Sequence, residues 1–233
     1  GDENSHTYAC AAENTDGVLI GFPSIAAVVG ALENGEIDRA VVPLENSVGG
    51  TVGETLDALK RGNAYIIKQY NRRIFHSLIG KISAKKSDVK RIYSHPQALA
   101  QCDGYLRENF ANADVIAVAS TSAALRIVSA PEEAAIARVA PDGLAVLESE
   151  IEDNKNNVTR FVLLAREPRY EGKKAAVVFG TPHRPGELLK VLEVLAAFDL
   201  NLNKLESRPS RDGEFGYWFF VEFDCPTRTV LGM

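Results

Sequence analysis

At 233 residues, with 45% hydrophobic and 24% charged side chains, the chain has room for one large domain plus a small one, or two of moderate size. A net charge of −5 argues against a general affinity for nucleic acid but leaves room for a local basic pocket that takes a small anion. The absence of a long apolar run excludes a membrane span, and GDENSHTY lacks the basic-then-apolar order of a signal peptide, so a cytoplasmic protein is expected.

The three cysteines, Cys10, Cys102 and Cys225, are far apart and lack metal-ligand spacing, so they read as buried thiols. No strand precedes GDENSHTY. From Ser24, SIAAVVGALENGE combines a capping Ser, apolar residues at helical spacing and a Gly exit, which predicts a helix of about three turns. RAVVPL follows as a short strand ending at Pro43. ENSVGGTVGETLDALKRG then reads as a polar glycine corner feeding a helix, with Thr51 or Thr55 as its cap. Such a corner either aims backbone N–H groups at a ligand above the sheet or is only a tight turn.

AYIIKQYNRRIFHSLIGKI reads as one long strand or two, long enough to pass from one lobe to another. Arg72, Arg73 and His76 form a small basic group within it, read first as solvated surface. A second α/β run follows, with KRIYS as strand, HPQALAQCDGYLRENF as helix, DVIAVAS as strand and TSAALRIVSA as helix. Ser94 is the expected cap of the first helix, with Pro96 in its first turn. Ser120, Thr121 and Ser122 place three hydroxyls at the start of the second, more than capping needs, and suggest an anion or hydroxyl-bearing ligand. His95 is either a general acid or a structural histidine. The segment from Pro131 to Asn157 is expected to return the chain through a helix and a strand.

NNVTRFVLLA, residues 156–165, is the stretch on which the chemistry is expected. Its second half is a continuous apolar run, as in a strand buried on both faces. Its first half supplies two amides, a hydroxyl and a guanidinium at a sheet end, where open α/β proteins hold ligands. REPRYEGKK then reads as a linker. The rest follows a βαββ order, AAVVFG, PGELLKVLEVLAAFDL, NLNKLESRPSR and YWFFVEF, with a hairpin at Asp212 and Gly213, which is most of a ferredoxin-like module.

Taken together, GDENSHTYACAA, VVPLENSVGGTV, SHPQALAQC, STSAAL, NNVTRFVLL, PGELLKVL and ESRP resemble the prephenate dehydratase family with a C-terminal regulatory ACT domain. The resemblance implies an α/β catalytic region over 1–165 with two lobes, like a type II periplasmic binding protein, and a cleft between them. A linker over 166–173 and a shortened ferredoxin-like α+β ACT domain over 174–233 complete the expected order. It departs from the family in the run Asn4, Ser5, His6, Thr7, where a GTFS-like run is usual, in the first strand, and in the last helix and most of the last strand of the ACT domain.

The implied reaction is the decarboxylating dehydration of prephenate to phenylpyruvate without cofactor or metal, or the same elimination on arogenate. A non-catalytic amino-acid sensor is the rival from another class. The resemblance makes Thr159 the catalytic residue; the residue chemistry then places it at the leaving hydroxyl, with Arg160 expected at a substrate carboxylate or fixing the strand end, and Asn46 and Ser47 expected as donors. Substrate contacts are expected from Ser5, Thr7, Glu45, Ser94, His95, Gln97, Ser120, Thr121, Ser122, Asn157 and Phe161. Phenylalanine is the implied effector, held by Gly186, Glu187, Leu188 and Leu189 with Glu206, Ser207, Arg208 and Pro209. A homodimer or homotetramer is expected.

Overall fold

A computed structural model describes residue 1 and residues 3–210 and 216–225. The expected hairpin turn at Asp212 and Gly213 lies outside the described residues, as does the end of the chain from 226. Two helices come first, α1 (His6–Asn14) and α2 (Ile25–Glu33), followed by β1 (Ala40–Asn46), β2 (Gly50–Thr51) and α3 (Gly53–Leu59). Next are β3 (Tyr65–Arg73), β4 (Ser77–Lys81), β5 (Arg91–Ser94), α4 (Pro96–Gln101), α5 (Asp103–Asn109), β6 (Asp114–Ala117) and α6 (Thr121–Ile127). Then come β7 (Glu133–Ala137), β8 (Leu144–Glu148), β9 (Val158–Ala165), β10 (Lys174–Thr181), α7 (Glu187–Ala197), β11 (Leu202–Pro209) and β12 (Tyr217–Asp224).

Among the described residues these strands form three sheets. The first has the order β2-β1-β9-β3, the second β6-β5-β7-β4-β8 and the third β10-β12-β11. The chain leaves the first sheet after β3 and returns to it at β9, so the whole second sheet is inserted between two neighbouring strands of the first. The two crossing segments are tied to each other, Ile74 N–H donating to Asn157 O at 2.8 Å and Ile151 N–H to His76 O at 2.9 Å. AYIIKQYNRRIFHSLIGKI is therefore two strands in different sheets, β3 and β4.

Several local expectations are corrected. β1 does not stop at Pro43 but runs on to Asn46. The register shifts between Pro43 and Glu45, a β-bulge, which is where a residue without an N–H is tolerated inside a sheet. Neither Thr51 nor Thr55 caps α3; its N-cap is Val52, and Thr55 is buried and donates to Pro43 O at 2.6 Å. His95, not Ser94, caps α4, through Nδ1 to the Gln97 N–H. The single helix expected over HPQALAQCDGYLRENF is broken at Cys102, because the Asp153 carboxylate reaches in to accept from Gly104 and Tyr105 N–H and starts α5 afresh. Residues 133–137, expected as helix, are strand β7. Every one of its side chains is buried between β5 and β4, and tertiary packing overrides the helical leaning of an Ala-rich run. The opening helix α1, capped by Ser5 Oγ, was not foreseen.

The core of the first sheet joins α2, α3, β1 and β9 through Val29, Leu32, Leu44, Leu56, Val162 and Leu164, and takes in Trp218 and Phe220 from β12. Each such buried side chain is worth ~1.5–3 kcal/mol, so the third sheet is docked on the first by apolar burial rather than only tethered. Residues 166–173 carry no helix or strand, and Arg166 fastens their start by donating to Leu32 O and Ile37 O at 3.0 and 2.7 Å. Among the described residues no helix is long and apolar enough to cross a membrane.

Candidate active site at the start of β9

β9 lies between β1 and β3, and its first residues sit where the crossing segments meet. Asn46 of β1 stands opposite Thr159, and Glu45 stands opposite Arg160. The bulge sets this pairing. Pro43 faces Phe161, and a regular ladder would continue with Leu44 at Arg160 and Glu45 at Thr159; the extra residue delays the count by one and puts an amide beside the Thr159 hydroxyl.

The Asn46 side chain then uses both of its ends. Nδ2 donates to Thr159 Oγ1 at 2.8 Å and to Asn157 Oδ1 at 2.7 Å. Oδ1 accepts from Val48 and Gly49 N–H at 3.0 and 2.8 Å and so closes the turn that follows β1. Ser47 continues the pairing, its N–H donating to Val158 O at 2.8 Å and its Oγ accepting from Val158 N–H at 2.9 Å. Gly50 reverses the chain at φ 74°, a left-handed conformation that favours glycine. Gly49 is approached so closely by Gln97 that a Cβ would lie 3.1 Å from its Nε2.

Beside this turn is a cavity of about 270 Å³ lined by Gly49, Gln97, Gln101, Asp153, Asn154 and Asn157, among others. Thr159 and Asn46 are 7% and 8% exposed, and Asn157 is 1% exposed with its Nδ2 lacking any partner among the described residues. A buried amide donor left open in this way is costly unless a ligand uses it.

Arg160 points to the other face of β9, as alternation requires. It pairs with Glu45 at 2.9 Å and with Glu222 of β12 at 2.7 Å. Burial pushes the Glu45 carboxyl up, but Lys204 and Arg160 outweigh it and hold it below the usual carboxylate range. Phe161 is buried against Cys10 and Ile74 and supports α1 from beneath. Ser94 is buried and spends its hydroxyl on Ile136 O at 2.6 Å. Ser5 and Ser120 are helix caps. Thr7 and Thr121 sit half-buried at the starts of the same two helices, and Ser122 lines a separate cavity with Asn4 and Arg126.

Two histidines at the crossing were missed or misplaced by sequence reasoning. His76, read as solvated, is 5% exposed; its ring Nε2 lies 2.8 Å from Gln101 Oε1 and its N–H donates to the buried Glu152 at 2.9 Å. His6 sits edge-on to it at 6.1 Å with Nε2 3.1 Å from Phe75 O, and its pKa is pushed down to about 3 by burial first and then by His76, Arg138 and Arg72. Arg138 reaches back to the Glu3 and Asn4 carbonyls. The signal for His76 was available, since it sits between Phe75 and the apolar run of β4.

In the third sheet, Gly186, Leu188 and Leu189 line a groove of about 370 Å³ together with His183, Tyr217 and Phe219. Glu206 and Arg208 do not. Glu206 accepts from Thr51 at 3.1 Å, and Arg208 grips Asp57 through two bonds of 3.0 and 3.1 Å, so both face the first sheet while Ser207 and Pro209 face outward.

Residues 1–169 match the prephenate dehydratase family model. The chain is 39% identical over 219 residues to arogenate dehydratase 2 of Petunia hybrida, covering 84% of this chain and 55% of that protein, so it spans about half the length of such curated relatives. Among solved structures, prephenate dehydratase in complex with L-Phe from Arthrobacter aurescens is 34% identical with a TM-score of 0.85, covering 97% of this chain and 79% of the other. GqqA, described as a novel type of quorum quenching acylase, is 25% identical with a TM-score of 0.84, covering 96% and 85%.

Proposed function

Because the chain belongs to the prephenate dehydratase family, we propose that it eliminates carbon dioxide and hydroxide from prephenate to give phenylpyruvate, in a cleft between the first two sheets arranged as in a type II periplasmic binding protein. The observation that carries this is the Asn46–Thr159 bond. The amide donates to Thr159 Oγ1, so the hydroxyl proton is directed away from Asn46 and toward a ligand. Accepting one hydrogen bond makes the hydroxyl a stronger donor for the next.

In the reaction the bond from the ring to its carboxylate breaks, its electron pair enters the ring, and the C–O bond across the ring breaks. The departing hydroxide takes a proton and leaves as water, and aromatisation supplies the driving force. Thr159 polarises the leaving hydroxyl, relaying a proton from water, and the open Asn157 Nδ2 donates to a substrate oxygen. Arg160 fixes the strand end from the opposite face. The half-buried Arg72 and Arg138, next to a neutral His6, put positive charge near an anionic substrate, although Arg72 shares its charge with Glu13.

The third sheet, with β12 between the parallel pair β10 and β11, has the split βαβ order of a ferredoxin-like ACT domain. Phenylalanine as effector is supported by the L-Phe complex of the Arthrobacter relative and by the apolar groove at Gly186 to Leu189. The outward face of β11 would complete that site in a homodimer or homotetramer. The test is a cofactor-free assay of phenylpyruvate from prephenate, with arogenate beside it and phenylalanine added in parallel. Turnover suppressed by phenylalanine supports both parts, faster turnover of arogenate reassigns the substrate, and a folded protein inactive on both leaves an amino-acid sensor. The acylase neighbour shows why the assay is needed, since one fold hosts several chemistries.

A further inference from the structure

The turn that carries Asn46 is held at both of its stems by one side chain of the third sheet. Lys204 Nζ donates to Glu45 Oε1 at 2.7 Å on the incoming stem and to Thr51 Oγ1 at 2.7 Å on the outgoing stem. Its side chain is 11% exposed, and an ammonium is retained at such a site only when its partners are good. Lys204, Glu206 and Arg208 alternate along β11, so all three face the first sheet, and Glu206 adds a second tie to Thr51. Between the clamped stems lie Asn46, bonded to Thr159, and the Val48 and Gly49 amides bonded to Asn46.

We propose that Lys204 is a positioning residue for the elimination: by pinning Glu45 to Thr51 it sets how Asn46 meets Thr159. This rests on the roles given above to Asn46 and Thr159. It also makes β11 part of the catalytic machinery, so a ligand that shifts the third sheet has a route to the Thr159 hydroxyl through this ammonium.

The variant to make is Lys204→Met in the full chain, which keeps the aliphatic stem and removes the charge. With the better of the two substrates, kcat is expected to fall ~10-fold while KM changes less than ~3-fold, as for a misplaced group that touches no substrate. Lys204→Arg should recover most of the loss. Combining Lys204→Met with Asn46→Ala should cost no more than Asn46→Ala alone, since both act on one contact. Hydrogen exchange of the Val48 and Gly49 amides should quicken ~10-fold in Lys204→Met, a readout independent of turnover. Unchanged exchange, or losses that multiply in the double variant, would overturn the proposal. An inactive natural sequence with faster exchange in the variant would instead remove the dehydratase reading and leave the clamp standing. If Lys204→Met does not fold, Thr51→Val removes the outgoing tie alone and is read by the same exchange measurement, with the same unchanged result counting against the clamp.

Discussion

The two faces of β9 are built for different work from alternate residues of one strand. On one face Thr159 meets Asn46, and Phe161 lies beneath α1; on the other Arg160, Val162 and Leu164 meet Glu45, α2, α3 and β12. The first face keeps an open amide donor beside a cavity. Its neighbour is closed by ion pairs and apolar packing. A strand's two-residue period thus places chemistry and attachment within one residue of each other, and the faces should respond differently to substitution.

The largest effect is expected on the open face. Thr159→Ala should lower kcat by ~10²-fold or more with little change in melting temperature, because a positioned donor is lost and no packing is. Near-normal turnover would sink the assignment. Asn46→Ala should follow with a loss of about 30-fold, since it frees both Thr159 and the Val48 turn. On the closed face, Arg160→Met should cost stability, about 3 kcal/mol by chemical denaturation, because Glu222 is left buried without its partner, while kcat falls less than ~10-fold. A collapse of turnover at unchanged stability would place Arg160 on substrate after all and dissolve the contrast between faces.

The remaining effect concerns pH and leaves turnover at neutral pH untouched. His6 and His76 are both held below the ordinary histidine value, by burial first. The unfolded chain takes up their protons near pH 6.5 and the native one only at lower pH, at about 3 for His6. Stability is therefore full above about pH 6.5 and falls as pH drops toward 3, by ~1.4 kcal/mol per pH unit for each extra proton bound on unfolding. His6→Phe should remove one proton from that slope, as read from denaturation midpoints between pH 6 and 4.

Much of this arrangement is legible in the residues. The polar start of NNVTRFVLLA does lie at a sheet junction, Ser24 and Ser120 do cap their helices, and the βαββ order of the last sheet follows from its strand and helix periods. What could not be read depends on long-range partners. Local propensity makes EAAIA helical until neighbours on both sides bury it as β7. The side to which Arg160 points depends on knowing where β12 packs, 62 residues later in the chain for Glu222. Lys204 looks like any solvated lysine in NLNKLESRPSR, and only the approach of Glu45 and Thr51 gives it a task.

The bulge at Leu44 makes strand register a functional variable. Were Leu44 paired in a regular ladder instead, with every residue of the site still present, a carboxylate rather than an amide would lie opposite Thr159 and Arg160 would face an apolar residue. A donor would become an acceptor, beside a cavity already lined by Glu152 and Asp153. Replacing polar side chains one at a time would not expose this dependence, because what the bulge sets is which residues of two strands stand opposite each other.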